Sequence, residues 1–360
     1  MSSQKIMAKE EQSSLIMLLP HDVMFDILAR VSRFDYPTLS LVCKHFRSIV
    51  TSPEIFTRRS LLGCTEHCLY VVLANEDEPV CSKRLYILCP KANGEHRLVL
   101  IRSLPDMPTY ISETAMGYVA VGSRIYVFSR SNKHDMITLS IDCGSHTVQL
   151  LPNAPVTMSP RMADVIKGRI YVIGYDCGWE RGMVVFNTET QMWEPRMIKL
   201  DKEGNKCIDG CAVVMTDKMY MRNPSKTLVY DPKEIKWETD EMMNLHKWRN
   251  ACVVDDVLYY YNCEFYNMGG GLIAYDQTQR CWREVKGLEA LLPETTSSMW
   301  PHIVSHGGKL ALFYTKRNEI WCEEISLETR QGGEIWGKVE WRKRLVTGNF
   351  LFMKALDVVV

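Results

Sequence analysis

Apolar positions along this chain fall into two regimes that meet near residue 60. In the first they recur at helical steps. Pro20 suits a first helical turn, where its missing N–H has no partner to lose. Val23, Ile27, Leu28 and Val31 then share one helical face. Asp35-Tyr36-Pro37 reads as a second helix start with Asp35 as its cap. Leu39, Val42, Phe46 and Ile49 follow at steps of 3, 4 and 3, again one face. Ser52-Pro53 ends the run, because a residue before proline avoids the α region. Residues 51–62 then read as a linker without a Gly/Ser tract. Short helices within about 40 residues bury too little surface to be stable alone, so this group is expected to seek a partner.

In the second regime, short runs rich in Val, Ile, Tyr and Leu alternate with turn residues, and the pattern repeats. A strand ending in Asp or Asn precedes a turn and a large apolar residue. The copies run Asp142 to Val148, Asn187 to Trp193, Asp231 to Trp237 and Asp276 to Trp282, at spacings of 45, 44 and 45. Before each lies a second landmark: Ile125-Tyr126-Val127, Ile170-Tyr171-Val172, Met219-Tyr220-Met221 and Leu258-Tyr259-Tyr260. One unit divides into strands at 163–166, 170–173, 183–186 and 192–197. Gly168 can take the positive φ of its first turn. The Asp or Asn of the second turn can hydrogen-bond its own backbone. The Trp six residues later is expected to pack between units. Four strands every 45 residues or so fit a radial propeller. Six units are counted: 65–108, 114–155, 160–200, 209–246, 248–292 and 300–346. The first lacks an innermost strand, which the apolar tail at 350–360 could supply.

Composition narrows the functional classes. Apolar residues make up 46% and charged residues 24%, enough for a sizeable core. Formal net charge is zero, so no global field draws the chain to nucleic acid or to a membrane. The 13 cysteines are an odd number, several inside apolar runs, as expected of a reduced cytoplasmic or nuclear protein. The first dozen residues lack the basic and apolar regions of a secretory signal, and 1–14 reads as a polar tail. Asn223-Pro224-Ser225 has proline at the centre of its sequon, which forbids glycosylation.

Catalytic and cofactor motifs are absent: no G-x-S-x-G elbow, no phosphate loop, no H-E-x-x-H and no C-x-x-C. Cys64-x-x-His67-Cys68 and Cys207-x-x-x-Cys211 lack common zinc spacings, so no metal and no cofactor are expected. Gly269-Gly270-Gly271 has no following Lys-Ser/Thr and reads as an interstrand loop.

Two resemblances follow from these residues. Leu19-Pro20-x-x-Val23-x-x-x-Ile27-Leu28-x-x-Val31, then Leu41-Val42-Cys43-Lys44-x-Phe46-x-x-Ile49 and Ser52-Pro53, resembles the F-box, with Phe46 where Trp is frequent. The repeats resemble kelch blades, although only Gly174 stands where those blades usually carry a glycine pair. The chain is thus similar to plant-type F-box/kelch-repeat proteins. The resemblance implies a mainly β fold, with a small α-helical F-box at 15–60 followed by a kelch-type β-propeller at 65–360. It also implies a non-enzymatic substrate-recognition subunit of a Skp–cullin–F-box ubiquitin ligase, and so a Skp-family adaptor, a cullin and a target protein as partners. Leu19, Pro20, Val23, Ile27, Leu28, Val42, Phe46 and Ile49 would form or support the adaptor surface. Alternatives are a propeller enzyme, a sugar-binding protein, or an F-box adaptor working outside a ligase. In a propeller, the loop entering each innermost strand and the loop leaving the next share one face, the expected target site. The entering loops carry Arg161, Trp248, Arg249, Trp300 and His302; the leaving loops carry Arg130, Tyr175, Arg222 and Asn262.

Overall fold

A computed structural model describes residues 19–78, 82–90, 94–102, 104, 116–130, 136–200, 211–223, 225–262, 270–289 and 301–360. The polar tail, Cys207, Gly269 and Trp300 lie outside them. The chain divides into two units: 1–66 with Val359–Val360, and 67–358.

In the first unit, helices α1 (His21–Ala29), α2 (Tyr36–Leu39), α3 (Lys44–Val50) and α4 (Pro53–Leu61) enclose a small core. Met24, Phe25, Leu28, Ala29, Tyr36, Ile49, Val50 and Ile55 fill it. Two sequence expectations change here. Asp35 caps nothing with its side chain; Ser32 instead accepts from the Phe34 N–H at the 3₁₀ turn Arg33–Asp35. The supposed linker is helix α4. Ser52, whose following proline ends α3, becomes the N-cap of α4 and accepts from Glu54 N–H, with Pro53 at the first helical position. Arg59 on α4 is buried. Its Nη1 donates to the carbonyls of Ala29 and Val31 at the end of α1, and its Nη2 lies 2.7 Å from Glu66. The guanidinium therefore satisfies helix-end carbonyls that no backbone N–H reaches.

The second unit is a six-bladed propeller. Its first blade holds β1 (His67–Asn75), β2 (Ser82–Pro90) and β3 (His96–Leu100). The second holds β4 (Met116–Val121), β5 (Arg124–Arg130), β6 (Met136–Asp142) and β7 (Thr147–Leu150). The third holds β8 (Met158–Ile166), β9 (Arg169–Asp176), β10 (Arg181–Asn187), β11 (Met192–Trp193) and β12 (Ile198–Lys199). The fourth holds β13 (Cys211–Met215), β14 (Lys218–Arg222), β15 (Thr227–Asp231) and β16 (Lys236–Thr239), followed by helix α5 (Glu241–Asn244). The fifth holds β17 (Cys252–Val254), β18 (Val257–Asn262), β19 (Gly271–Asp276) and β20 (Cys281–Glu284). The sixth holds β21 (His302–His306), β22 (Lys309–Lys316), β23 (Glu319–Thr329) and β24 (Ile335–Thr347). Strand β25 (Phe350–Val359) returns to pair with β1 as the innermost strand of blade 1, so the apolar tail closes the ring.

The hairpin between the first two strands turns through left-handed pairs at Lys167-Gly168, Thr216-Asp217, Asp255-Asp256 and Gly307-Gly308. That turn type matches the twist of the strands it joins. At the second turn, Asp142, Asn187, Asp231 and Asp276 each accept backbone N–H groups two and three residues on. The outer strand of blade 3 is broken into β11 and β12 around Pro195, which has no N–H for β10. Apolar clusters fill the seams between blades. Trp193, Trp237 and Trp282 lie at the seams between blades 2 and 3, 3 and 4, and 4 and 5. The Trp193 and Trp282 indoles donate to the carbonyls of Pro152 and Met242 in the preceding blade, both at 2.8 Å.

Candidate interaction surfaces

Within the first unit, the helical face read from sequence splits in two. Leu28 and Ile49 are buried and support the core, with Leu19, Val31, Leu39 and Phe46 packed against it. Val23 and Ile27, four residues apart on α1, remain 41% and 49% exposed. Pro20 is exposed too. In the turn before α3, Leu41 and Val42 are 77% and 64% exposed. Leu41 was absent from the sequence-derived set, although it belongs to the same motif. The inner side of α1 is taken by Met24, Phe25 and Leu28, so Val23 and Ile27 find no cover among the described residues of their own unit. Four branched apolar side chains of this small unit thus stand open to solvent.

In the propeller, the innermost strands of all six blades line an axial cavity of about 540 Å³. Cys211, Asn250 and His302 stand on its wall where their strands begin, and Arg161 stands there within β8. Asp164 and Lys354 face it further along. Burial raises the Asp164 carboxyl to about 6, against the pull of Lys354, and pushes His302 down to about 3, with Lys354 adding to the shift.

The residues expected around the cavity mouth do different things. Trp248 is a correction: it is wholly buried in the cluster between blades 4 and 5 and cannot touch a target. Its apolar bulk suits that seam better than a rim. Tyr175 is largely buried, and the Arg161 guanidinium lies over its ring at 5.8 Å. Arg130 Nη1 donates to Ser159 Oγ at 2.8 Å, tying blade 2 to blade 3. Asn262 ends β18, half-buried. Arg222 is buried at the end of β14, while Arg249 is exposed in the segment entering β17.

One residue at this rim escaped the sequence reading. Trp179, at the tip between β9 and β10, is 77% exposed. Asp176 Oδ1 holds the tip by accepting from Gly178 N–H at 2.9 Å and Glu180 N–H at 2.8 Å. The indole lies 6.0 Å from the Tyr175 ring, tilted 56° to it, so Arg161, Tyr175 and Trp179 form one run of contacts that starts at the cavity wall and ends in solvent. A large aromatic inside an Asp-Cys-Gly-Trp-Glu turn was the available signal. Gly174 sits beneath it: a Cβ there would stand 2.1 Å from the Ser159 carbonyl oxygen. The kelch-type glycine is kept where two backbones touch.

Among the described residues, no group of three or more His, Cys, Asp or Glu side chains could hold a metal, and no helix is long and apolar enough to cross a membrane.

Comparison with known proteins agrees with both units. A family profile described as F-box domain matches residues 16–58, and one described as FKB95, Kelch-repeats domain matches 85–346. The F-box/kelch-repeat protein At4g38940 of Arabidopsis thaliana is 42% identical, over 97% of this chain and 96% of its own. At4g39550 of the same plant is 36% identical over 91% and 90%. Among solved structures, TolB from Acinetobacter baumannii aligns with TM-score 0.50 at 11% identity, covering 87% of this chain and 72% of that one, a likeness of fold alone. With an F-box unit, a six-bladed kelch propeller and full-length relatives of the same build, this chain belongs to the F-box/kelch-repeat family.

Proposed function

We propose that the chain is the substrate-recognition subunit of a Skp–cullin–F-box ubiquitin ligase. The observation that carries this reading is the exposed apolar set Val23, Ile27, Leu41 and Val42 on an F-box unit whose core is otherwise filled. A Skp-family adaptor would cover these side chains and connect the chain to a cullin. The propeller would hold the target at the end of the ring where the innermost strands begin, with Arg161, Tyr175 and Trp179 as one anchor. Such a subunit needs no catalytic residue. Holding the target near a ubiquitin-loaded enzyme turns a bimolecular transfer into an effectively intramolecular one. Buried single thiols such as Cys68, Cys143 and Cys322 suit a reducing compartment, cytoplasm or nucleus. Affinity purification of the full chain from cells under proteasome inhibition tests the assignment. Adaptor and cullin should co-purify, together with ubiquitinated protein. Adaptor without any cullin would place the chain outside a ligase.

A further inference from the structure

Among the described residues, Arg59, Lys83, Arg222, Asp240 and Glu323 are charged side chains buried in the fold. Three of them meet an opposite charge. Arg59 lies 2.7 Å from Glu66, Asp240 lies 3.5 Å from Arg280, and Glu323 lies 2.7 Å from Arg342. Arg222 differs. It is 6% exposed, its Nη1 donates to the Asn223 carbonyl, and no carboxylate among the described residues pairs with it; its buried Nε lacks a hydrogen-bond partner, as do those of Arg59 and Arg342. The neighbouring charge that acts on it is another cation, Arg249. Burial and Arg249 both push its pKa down, so the surroundings oppose the charge it carries. A guanidinium does not escape by losing its proton. Uncompensated buried charge is strongly destabilising, and such a group persists where something outside the fold completes it.

Its position says what that is. Arg222 ends β14, opposite Cys211, the first residue of innermost strand β13. Tyr220, two residues back on the same strand face, lies in the seam between blades 4 and 5. Arg249, itself exposed beside buried Trp248, leads into β17 of blade 5. The two cations thus share one seam at the end of the ring read as the target face. We propose that Arg222 is the anion-recognising residue of that face and takes the carboxylate of an Asp or Glu side chain in the bound segment of the target. A planar guanidinium fork matches a carboxylate in shape and in charge. Exposed Arg249 adds attraction during approach. This inference rests on the proposed target face and deepens it.

The test uses the full chain bound to its adaptor and a displayed library of random 12-residue peptides. Peptides selected on the wild type should share an Asp or Glu. Their affinity should fall tenfold or more on Arg222→Met, and equally when the shared acid becomes its amide. Arg222→Met should melt at the same temperature as the wild type or higher, because an unpaired buried charge is gone. A purely structural Arg222 gives a lower melting temperature and unchanged peptide affinity, which would overturn the proposal. Peptides that bind Arg222→Met normally but fail on Trp179→Ala would leave the face standing and remove the carboxylate site. Selection only from a parallel phosphoserine-containing library would also remove it. Peptides indifferent to every change on this rim, or no selected peptide at all, would count against the site and the face together.

Discussion

His146, Gln191, Ile235 and Arg280 have little chemistry in common, yet each holds a left-handed φ between 51° and 56° four residues after the turn-opening Asp or Asn. The Asp or Asn was legible because its side chain does the bonding. The left-handed residue was not, because backbone bonds impose its conformation whatever side chain it carries. Ile235 is 70% exposed and β-branched, so it gains nothing from burial to offset that strain. Ile235→Asn should therefore stabilise the propeller by about 1 kcal/mol, read as a higher denaturant midpoint at constant slope. Asp164 gives a pH test. Its folded pKa of about 6 lies above the ordinary 3.8, so its contribution is fully present below about pH 4 and is lost as pH rises through 6. Asp164→Asn should match the wild type near pH 4 and exceed its stability by roughly 2 kcal/mol at pH 8. Equal stability at both pH values would show that the carboxylate is well solvated. The reverse holds for His302, whose depressed pKa weakens the fold as pH falls from about 6.5 toward 3.

At the scale of elements, period and turn chemistry carried the reading of six blades, and the returning tail was legible from its apolar run. Pro53 shows where local rules stop. The rule that proline ends the preceding helix was correct, yet the same residue opened α4, and only Ser52 hinted at a cap. Arg59 was silent in the sequence because its partners lie about 30 residues away at the end of α1. Arg59→Leu keeps the bulk but strips the donors from the Ala29 and Val31 carbonyls. It should destabilise the F-box unit by about 3 kcal/mol and expose 53–61 to limited proteolysis. Strand β25 makes the complementary case. Removing residues 350–360 leaves blade 1 with three strands and an open inner edge. Cooperative unfolding should then be lost, and aggregation should replace a reversible thermal transition.

At the scale of the whole molecule, the division of labour between an F-box unit and a propeller could be read from motifs. The division within each surface could not. Sequence periodicity put Val23, Ile27 and Leu28 on one face without saying which would stay exposed, because that depends on how α4 and Arg59 close the opposite side. Likewise Trp248 and Trp179 are both tryptophans beside loops, and three-dimensional packing alone made one core and the other surface. The central claim is that Val23 and Ile27 are exposed in order to bind the adaptor. It is tested most directly by calorimetric titration of a Skp-family adaptor into the purified full chain and into a Val23→Asp, Ile27→Asp double variant. The two substitutions place charge on positions outside the core, so both proteins should melt alike. The account predicts that the variant binds at least about thirtyfold more weakly, the loss of ~2 kcal/mol expected when an apolar anchor is removed. A well-folded variant that binds the adaptor as tightly as the wild type would contradict it.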